Sequence, residues 1–123
     1  MGINRRNFLK TAGAATLFTI VPRWVLGGPG RIAPSDQLTK GIIGVGGIGR
    51  SSYHFTSTPE CRLVAICGVD SDHLRSAAEL GRRNFGQTLK TYHFYRDLIT
   101  DPNVDIVHIA TPPHWHGIMA VEA

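Results

Sequence analysis

An apolar run from Leu38 to Ile43 ends directly in Gly44-Val45-Gly46-Gly47-Ile48-Gly49, and this junction constrains the fold of the 123-residue chain more than any other feature. The string fits G-x-G-x-x-G and stands where a buried strand would give way to a helix, expected over 47–58 and stopped by Pro59. In that setting Gly44 makes the tight turn, Gly46 lets the backbone approach a pyrophosphate, and Gly49 lets the helix pack closely on the strand. Backbone N–H groups and the helix dipole would then favour the phosphate charges.

The rest of the chain repeats the alternation. Arg62 to Val69 is almost entirely apolar and suits a second buried strand. A helix is expected from Asp72 to about Phe85, with Ser71 or Asp72 as its N-cap and Gly86 at its end. Leu89 to His93 reads as a short third strand, Tyr95 to Ile99 as one or two helical turns, and Val104 to Ala110 as a fourth strand leading into another helix. Strand–helix alternation with strands apolar on both faces implies an α/β fold: a Rossmann-type, doubly wound parallel sheet covered by helices. That domain is expected over 37–123.

What precedes it reads as an address and a linker. Asn4-Arg5-Arg6-Asn7-Phe8-Leu9-Lys10 matches the twin-arginine pattern R-R-x-F-L-K, and an apolar stretch follows from Thr11 to Val21. Its eleven residues are too few to span a membrane, which takes about 20. Val25-Leu26-Gly27 is the nearest small-residue cleavage site; an uncleaved signal would remain as an anchor. Residues 1–30 are therefore expected to be export signal and linker, 31–36 further linker, and the protein periplasmic after passage through the twin-arginine export machinery. The formal charge of +4 lies wholly in this leader: residues 1–27 hold four basic side chains and no acid, while 28–123 hold nine of each. No basic stripe remains for nucleic acid.

Cys61 and Cys67 are six apart in one expected strand, so roughly 20 Å separates them at about 3.3 Å per residue. An intrachain disulfide needs Cα atoms within about 7 Å, so both read as buried free thiols. Asp70, 21 residues after Gly49, is the acid expected near the end of strand two to hold ribose hydroxyls; its competing role is a turn or cap. Thr111-Pro112-Pro113-His114-Trp115-His116 follows strand four, where parallel strands open onto a ligand crevice. His114 and His116 at i, i+2 point to different helix faces and lack further ligands, so no metal site is expected. Trp115, Ile118 and Met119 read as the inward stripe of the last helix.

Taken together, APSDQLTKGIIGVGGIG, RLVAICGVD and DIVHIATPPHWH resemble the glucose–fructose oxidoreductase / inositol dehydrogenase / MocA-like (Gfo/Idh/MocA) family over residues 33–123. The resemblance implies a dinucleotide cofactor, NAD or NADP. It places Gly44, Gly46 and Gly49 along the pyrophosphate, with Val45, Gly47 and Ile48 as the other cofactor-binding residues of the same turn. Asp70 would stand at the ribose, Ala110, Thr111 and Pro112 along the nicotinamide half, and His116 would complete the motif. It also implies a sugar, cyclitol or polyol substrate held by a second, α+β domain, and pairing into a homo-oligomer through that domain. Where the family often carries an acid directly after the cysteine of strand two, this chain has Gly68. The family's Glu-Lys-Pro motif, with its catalytic lysine, would come after Ala123, so no catalytic residue is expected in this chain, and the chain alone is expected to be inactive. A glycoside hydrolase that oxidises its substrate transiently is the rival within the family; a non-catalytic nucleotide-binding protein is the rival outside it.

Overall fold

The structure, a computed structural model, describes residues 22, 27–29, 32–51 and 54–123. The arginine motif Asn4–Lys10 and the apolar stretch Thr11–Val21 lie outside the described residues. Within the segment read as linker, Pro34–Asp36 form a 3₁₀ turn and Ala33 is buried.

Four strands form one parallel sheet: β1 (Leu38–Ile43), β2 (Cys61–Cys67), β3 (Lys90–Tyr92) and β4 (Ile106–Ile109), in the order β3-β2-β1-β4. Among the described residues three α-helices accompany them: α1 (Ser71–Phe85), α2 (Tyr95–Ile99) and α3 (Pro113–Glu122). This is the Rossmann-type α/β sheet that the alternation of apolar runs implies. The chain leaves β1 toward β2 and β3 on one side, then crosses back to β4 on the other. The strand order therefore reverses beside β1, and an open α/β sheet binds its ligand at such a switch point.

Each face of the sheet carries its own core. Ile42, Leu63 and Ile66 pack with Val45, Phe55, Leu89 and the α1 residues Leu74 and Ala77. Ile43, Ala65 and Cys67 pack on the opposite face with Leu98 of α2 and Met119 of α3. Gly41 makes this second layer close: a Cβ there would sit 2.8 Å from Leu98 Cδ2, and the β1–β2 register shifts at Lys40/Gly41. Asp101, a buried acid in the turn before β4, is fully partnered. Tyr92 Oη donates to it at 2.6 Å, Lys90 Nζ at 3.0 Å, and Asn103 through its amide N and Nδ2 at 3.0 and 2.9 Å. These donors hold its carboxyl well below the usual carboxylate range.

Three expectations need correcting. Residues 47–58 do not form a helix among those described; they run through turns with isolated bonds, such as Arg50 N–H to the Gly46 carbonyl at 3.1 Å and Ser51 N–H to that of Ile48 at 2.9 Å. Two glycines, five Ser or Thr residues and a Tyr-His-Phe run are all weak helix formers, which explains it. The cap of α1 is Asp70 rather than Ser71 or Asp72, because its side chain accepts from the amides of Asp72 and His73. Finally, of the stripe expected to face inward on α3, only Met119 is buried; Trp115 and Ile118 stay 46% and 47% exposed. Cys67 is buried as expected and Cys61 half-buried, both as free thiols.

Candidate functional site

A cleft of about 530 Å³ opens at the carboxyl ends of all four strands. Ile43 and Gly44 enter it from β1, Cys67 to Asp70 from β2, His93 to Tyr95 from β3, and Ala110 to Pro112 from β4, with Trp115 and Met119 of α3 along one wall.

Its floor is the turn after β1. Gly44 has φ +95°, a conformation that favours glycine. A Cβ on Gly44 would also lie 2.8 Å from the Ala110 carbonyl and 3.0 Å from Thr111 N, so the turn is wedged against the end of β4. The Gly44 N–H donates to Cys67 O at 2.9 Å, and Ala110 N–H to Ile43 O at 2.8 Å, which ties three strand ends together. Gly49 is packed onto the same turn, because a Cβ there would overlap the Gly44 carbonyl oxygen. Gly46 and Gly47 differ: nothing lies within 4 Å of a Cβ placed on either. Among the described residues, the N–H groups of Gly46, Gly47 and Ile48 donate to no acceptor. Amide donors beside open space, on a turn whose approach no side chain blocks, are what a diphosphate requires. No helix dipole backs them here, so the turn's own amides supply the positive potential.

On the β2 side, Asp70 Oδ1 accepts from the amides of Asp72 and His73, both at 2.9 Å. Oδ2 lies 4.0 Å from His73 Nδ1, leaving it as the oxygen suited to a ligand hydroxyl. The amide bond from His73 above all, helped by the charges of His73 and Arg50, holds this carboxyl below its ordinary range. Two residues earlier, a Cβ at Gly68 would come within 2.7 Å of Val45 Cγ2. Val45, itself buried, thus occupies the space a side chain at 68 would need.

On the β4 side, His116 Nε2 lies 2.7 Å from the Thr111 carbonyl, to which it donates when protonated at that nitrogen, and Thr111 Oγ1 donates to Met119 Sδ at 3.6 Å. His116 therefore steadies the loop from behind. Burial, and then the charge of Asp97, push the Cys67 thiol up to about 11, so it stays protonated and is no nucleophile.

Of the residues expected at the site, Gly44, Val45, Gly46 and Asp70 line the cleft together with Ala110, Thr111 and Pro112. Gly47, Ile48, Gly49 and His116 do not line it: Gly49 is buried beneath the turn, while Gly47 and Ile48 are exposed beyond it. Gly68, singled out in the sequence as a departure from the family pattern, lines the cleft too, while sequence reasoning missed Val69, His73, His93 and Phe94. Val69, His93 and Phe94 follow the carboxyl ends of β2 and β3 and His73 stands in the first turn of α1, so strand pairing rather than any motif brings them to the crevice. Among the described residues no group of three or more His, Cys, Asp or Glu is arranged to hold a metal ion.

Comparison with known proteins gives this cleft a context. Residues 38–123 match the family model GFO_IDH_MocA, an oxidoreductase family with an NAD-binding Rossmann fold. The chain is 38% identical over 120 residues to glycosyl hydrolase family 109 protein 2 of Shewanella sp. (strain ANA-3), covering 93% of this chain and 24% of that protein. Myo-inositol 2-dehydrogenase from Lactobacillus plantarum superposes with a TM-score of 0.56 at 29% identity, covering 71% of this chain and 25% of that one. Scyllo-inositol dehydrogenase from Lactobacillus casei, solved with NAD(H) and scyllo-inositol, shares the fold with a TM-score of 0.58 at 21% identity, covering 71% and 25%. The chain thus spans about a quarter of the length of each.

Proposed function

The chain belongs to the Gfo/Idh/MocA oxidoreductase family and carries its NAD-binding Rossmann domain, and from that premise we propose that it holds NAD or NADP for hydride exchange with a sugar, cyclitol or related polyol, as part of a longer, exported protein. The observation that carries the reading is the set of unpartnered amides at Gly46, Gly47 and Ile48 at the switch point of the sheet, with open space over Gly46 and Gly47 and with Gly46 lining the cleft.

In this reading Gly44 shapes the turn and Gly49 packs it down. Gly46 lets the diphosphate approach, and the amides of Gly46, Gly47 and Ile48 donate to its oxygens. Asp70 accepts from a ribose hydroxyl through Oδ2. Ala110, Thr111 and Pro112 bound the nicotinamide half, with His116 fixing the Thr111 carbonyl, while Val45, Trp115 and Met119 exclude water from that end. When bound, the cofactor supplies the hydride acceptor or donor. Taking the substrate's hydroxyl proton needs a base at the reacting carbon. Cys67 is protonated, Asp70 is engaged as a cap, and His73 and His93 stand at the β2–β3 end. We therefore assign the base to the rest of the longer protein, in line with the lysine the family resemblance implies.

A second reading, glycoside hydrolysis, is favoured by one observation: the family 109 relative is 38% identical across 93% of this chain, against 29% for the inositol dehydrogenase. Both readings use the same cleft. In a dehydrogenase the hydride stays on the cofactor; in a hydrolase it returns to the sugar, and water replaces the leaving alcohol. Incubating the intact protein with NAD and either free inositols or aryl glycosides separates them. Net NADH from a polyol supports the first, and aryl alcohol released without net NADH supports the second. Neither product across both substrate classes would contradict the enzymatic reading. Export has its own test: replacing Arg5 and Arg6 with lysine should retain the protein in the cytoplasm, and undiminished export would contradict the twin-arginine route.

A further inference from the structure

The stretch that leads from the glycine turn to β2 is fastened to the sheet at two points. One is Phe55, buried with Ile42 and Leu63 and stacked on Phe85 of α1, ring centroids 5.7 Å apart. The other is a group of three half-buried basic side chains. Lys40 Nζ, from β1, donates to the His54 carbonyl at 3.2 Å and to Thr56 Oγ1 at 3.3 Å. His54 in turn lies against His108 of β4, with ring centroids 4.8 Å apart and planes tilted by 49°. His108 pairs in register with Ile42, so it stands on the same face of the sheet as that core.

This second fastening is tied to the turn. Arg50 donates to the Gly46 carbonyl from its amide at 3.1 Å and from Nε at 3.3 Å. The Ser51 N–H donates to Ile48 O at 2.9 Å, and the His54 and Phe55 amides close back on Ser51 O at 3.1 and 2.9 Å. On the other side, β4 carries His108 toward Ala110, against which Gly44 is wedged. Both imidazoles are thus mounted on elements that frame the turn.

A seat of this make holds only while its rings are neutral. The charges that act on His108 come from His54 and Lys40, and both carry the sign of an imidazolium. Asp105, the acid just before β4, is taken up by Thr39, whose N–H and Oγ1 donate to it at 2.8 and 2.7 Å. On α1, which packs on the same core, Asp72 with Arg75 and Glu79 with Arg82 and Arg83 form exposed pairs of their own. Protons added to touching rings beside an ammonium repel one another.

We propose that the His54–His108 contact is a proton-sensitive latch: proton uptake there frees His54 from β4, slackens the glycine turn through Ser51 and Arg50, and lowers affinity for the dinucleotide. This rests on the reading of the cleft as a dinucleotide site and adds regulation by acidity to it. Phe55 keeps its place in the core, so the fold survives the release. Burial, then the charges of His54 and Lys40, hold the His108 pKa below its ordinary 6.5, so the latched form disfavours the proton. Affinity is therefore full above about pH 6.5 and falls as the pH drops from there.

The test titrates NAD, whose own groups keep their charge over this interval, into the intact protein at about pH 7.5 and about pH 5.5. Wild type should lose about fivefold or more in affinity on acidification, and His108→Asn less than about twofold. The comparison with the variant matters because His73 and His93 line the cleft and are present in both proteins. His54→Gln, which removes the other ring, should behave like His108→Asn. Amide hydrogen exchange gives a readout independent of the ligand. Protection at Arg50, Ser51 and His54, corrected for intrinsic rates, should fall with acid in wild type and hold in both variants. Equal acid sensitivity of NAD affinity in wild type and variants would overturn the latch while leaving the dinucleotide site standing, as would protection that does not change with pH. A wild type that binds no NAD at either pH would overturn the dinucleotide reading and with it the coupling.

Discussion

One carboxylate serves two structures at Asp70. Oδ1 closes the amino end of α1 through two amides, and Oδ2 remains on the cleft side beside His73. The cap and ribose roles, read from the sequence as competitors, are compatible because a carboxylate has two oxygens. Serine at this position would keep an oxygen for the cap and lose the second acceptor. Asp70→Ser should therefore melt close to wild type, yet bind NADH about tenfold more weakly, as expected for losing a hydrogen bond to a charged group. NADPH should suffer less, because Arg50 and His73 would no longer be offset by a negative charge near the 2′-position. Calorimetric titration of both nucleotides checks this; an unchanged ratio of the two affinities would contradict the assignment. The glycines of the turn were legible because backbone geometry demands them. Phe94 was not, since an exposed phenylalanine carries no sequence signal until the topology places it on the cleft.

Elements were legible wherever apolar periodicity dominated. Strands β1, β2 and β4 follow from their runs of Leu, Ile and Val, and the helix that stops at Gly86 from a left-handed C-terminal glycine with φ +64°; β3, Lys90-Thr91-Tyr92, has no such run. The segment after the glycine turn was misread because its place in a strand–helix alternation suggested a helix, whereas its residues resist one. That segment also brings His54 against β4. Its ring centroid is 4.8 Å from that of His108, and Lys40 Nζ from β1 donates to the His54 carbonyl at 3.2 Å and to Thr56 Oγ1 at 3.3 Å. Burial, then the charges of His54 and Lys40, depress the His108 pKa below its ordinary 6.5. The unfolded chain therefore takes up this proton first as pH falls. The histidine's contribution to stability is complete above about pH 6.5 and is lost as pH drops from there toward the folded value. Urea midpoints at about pH 7.5 and about pH 5 should differ more for wild type than for His108→Val. Equal differences would contradict this account.

Across the whole molecule, the order β3-β2-β1-β4 turns a set of local features into one site. Gly44 and Ala110 are 66 positions apart in sequence, yet the wedge of one against the other sets the mouth of the cleft. Sequence reasoning reached the parallel, doubly wound sheet from the alternation of its elements; the strand order comes from the structure. It did not reach the β2–β3 wall, where Val69, His73, His93 and Phe94 carry no motif and are assembled only by strand pairing. The central claim is that the open amides of the turn after β1 cradle a diphosphate, and titrating NADH into the intact protein and into its Gly46→Ala variant tests it most directly. A methyl on Gly46 meets nothing within 4 Å, so the variant should fold and melt like wild type. The account predicts saturable submillimolar binding by wild type and a loss of at least about tenfold in the variant, the cost of roughly one hydrogen bond to a charged group; no binding by wild type, or equal affinity in the two proteins, would contradict it.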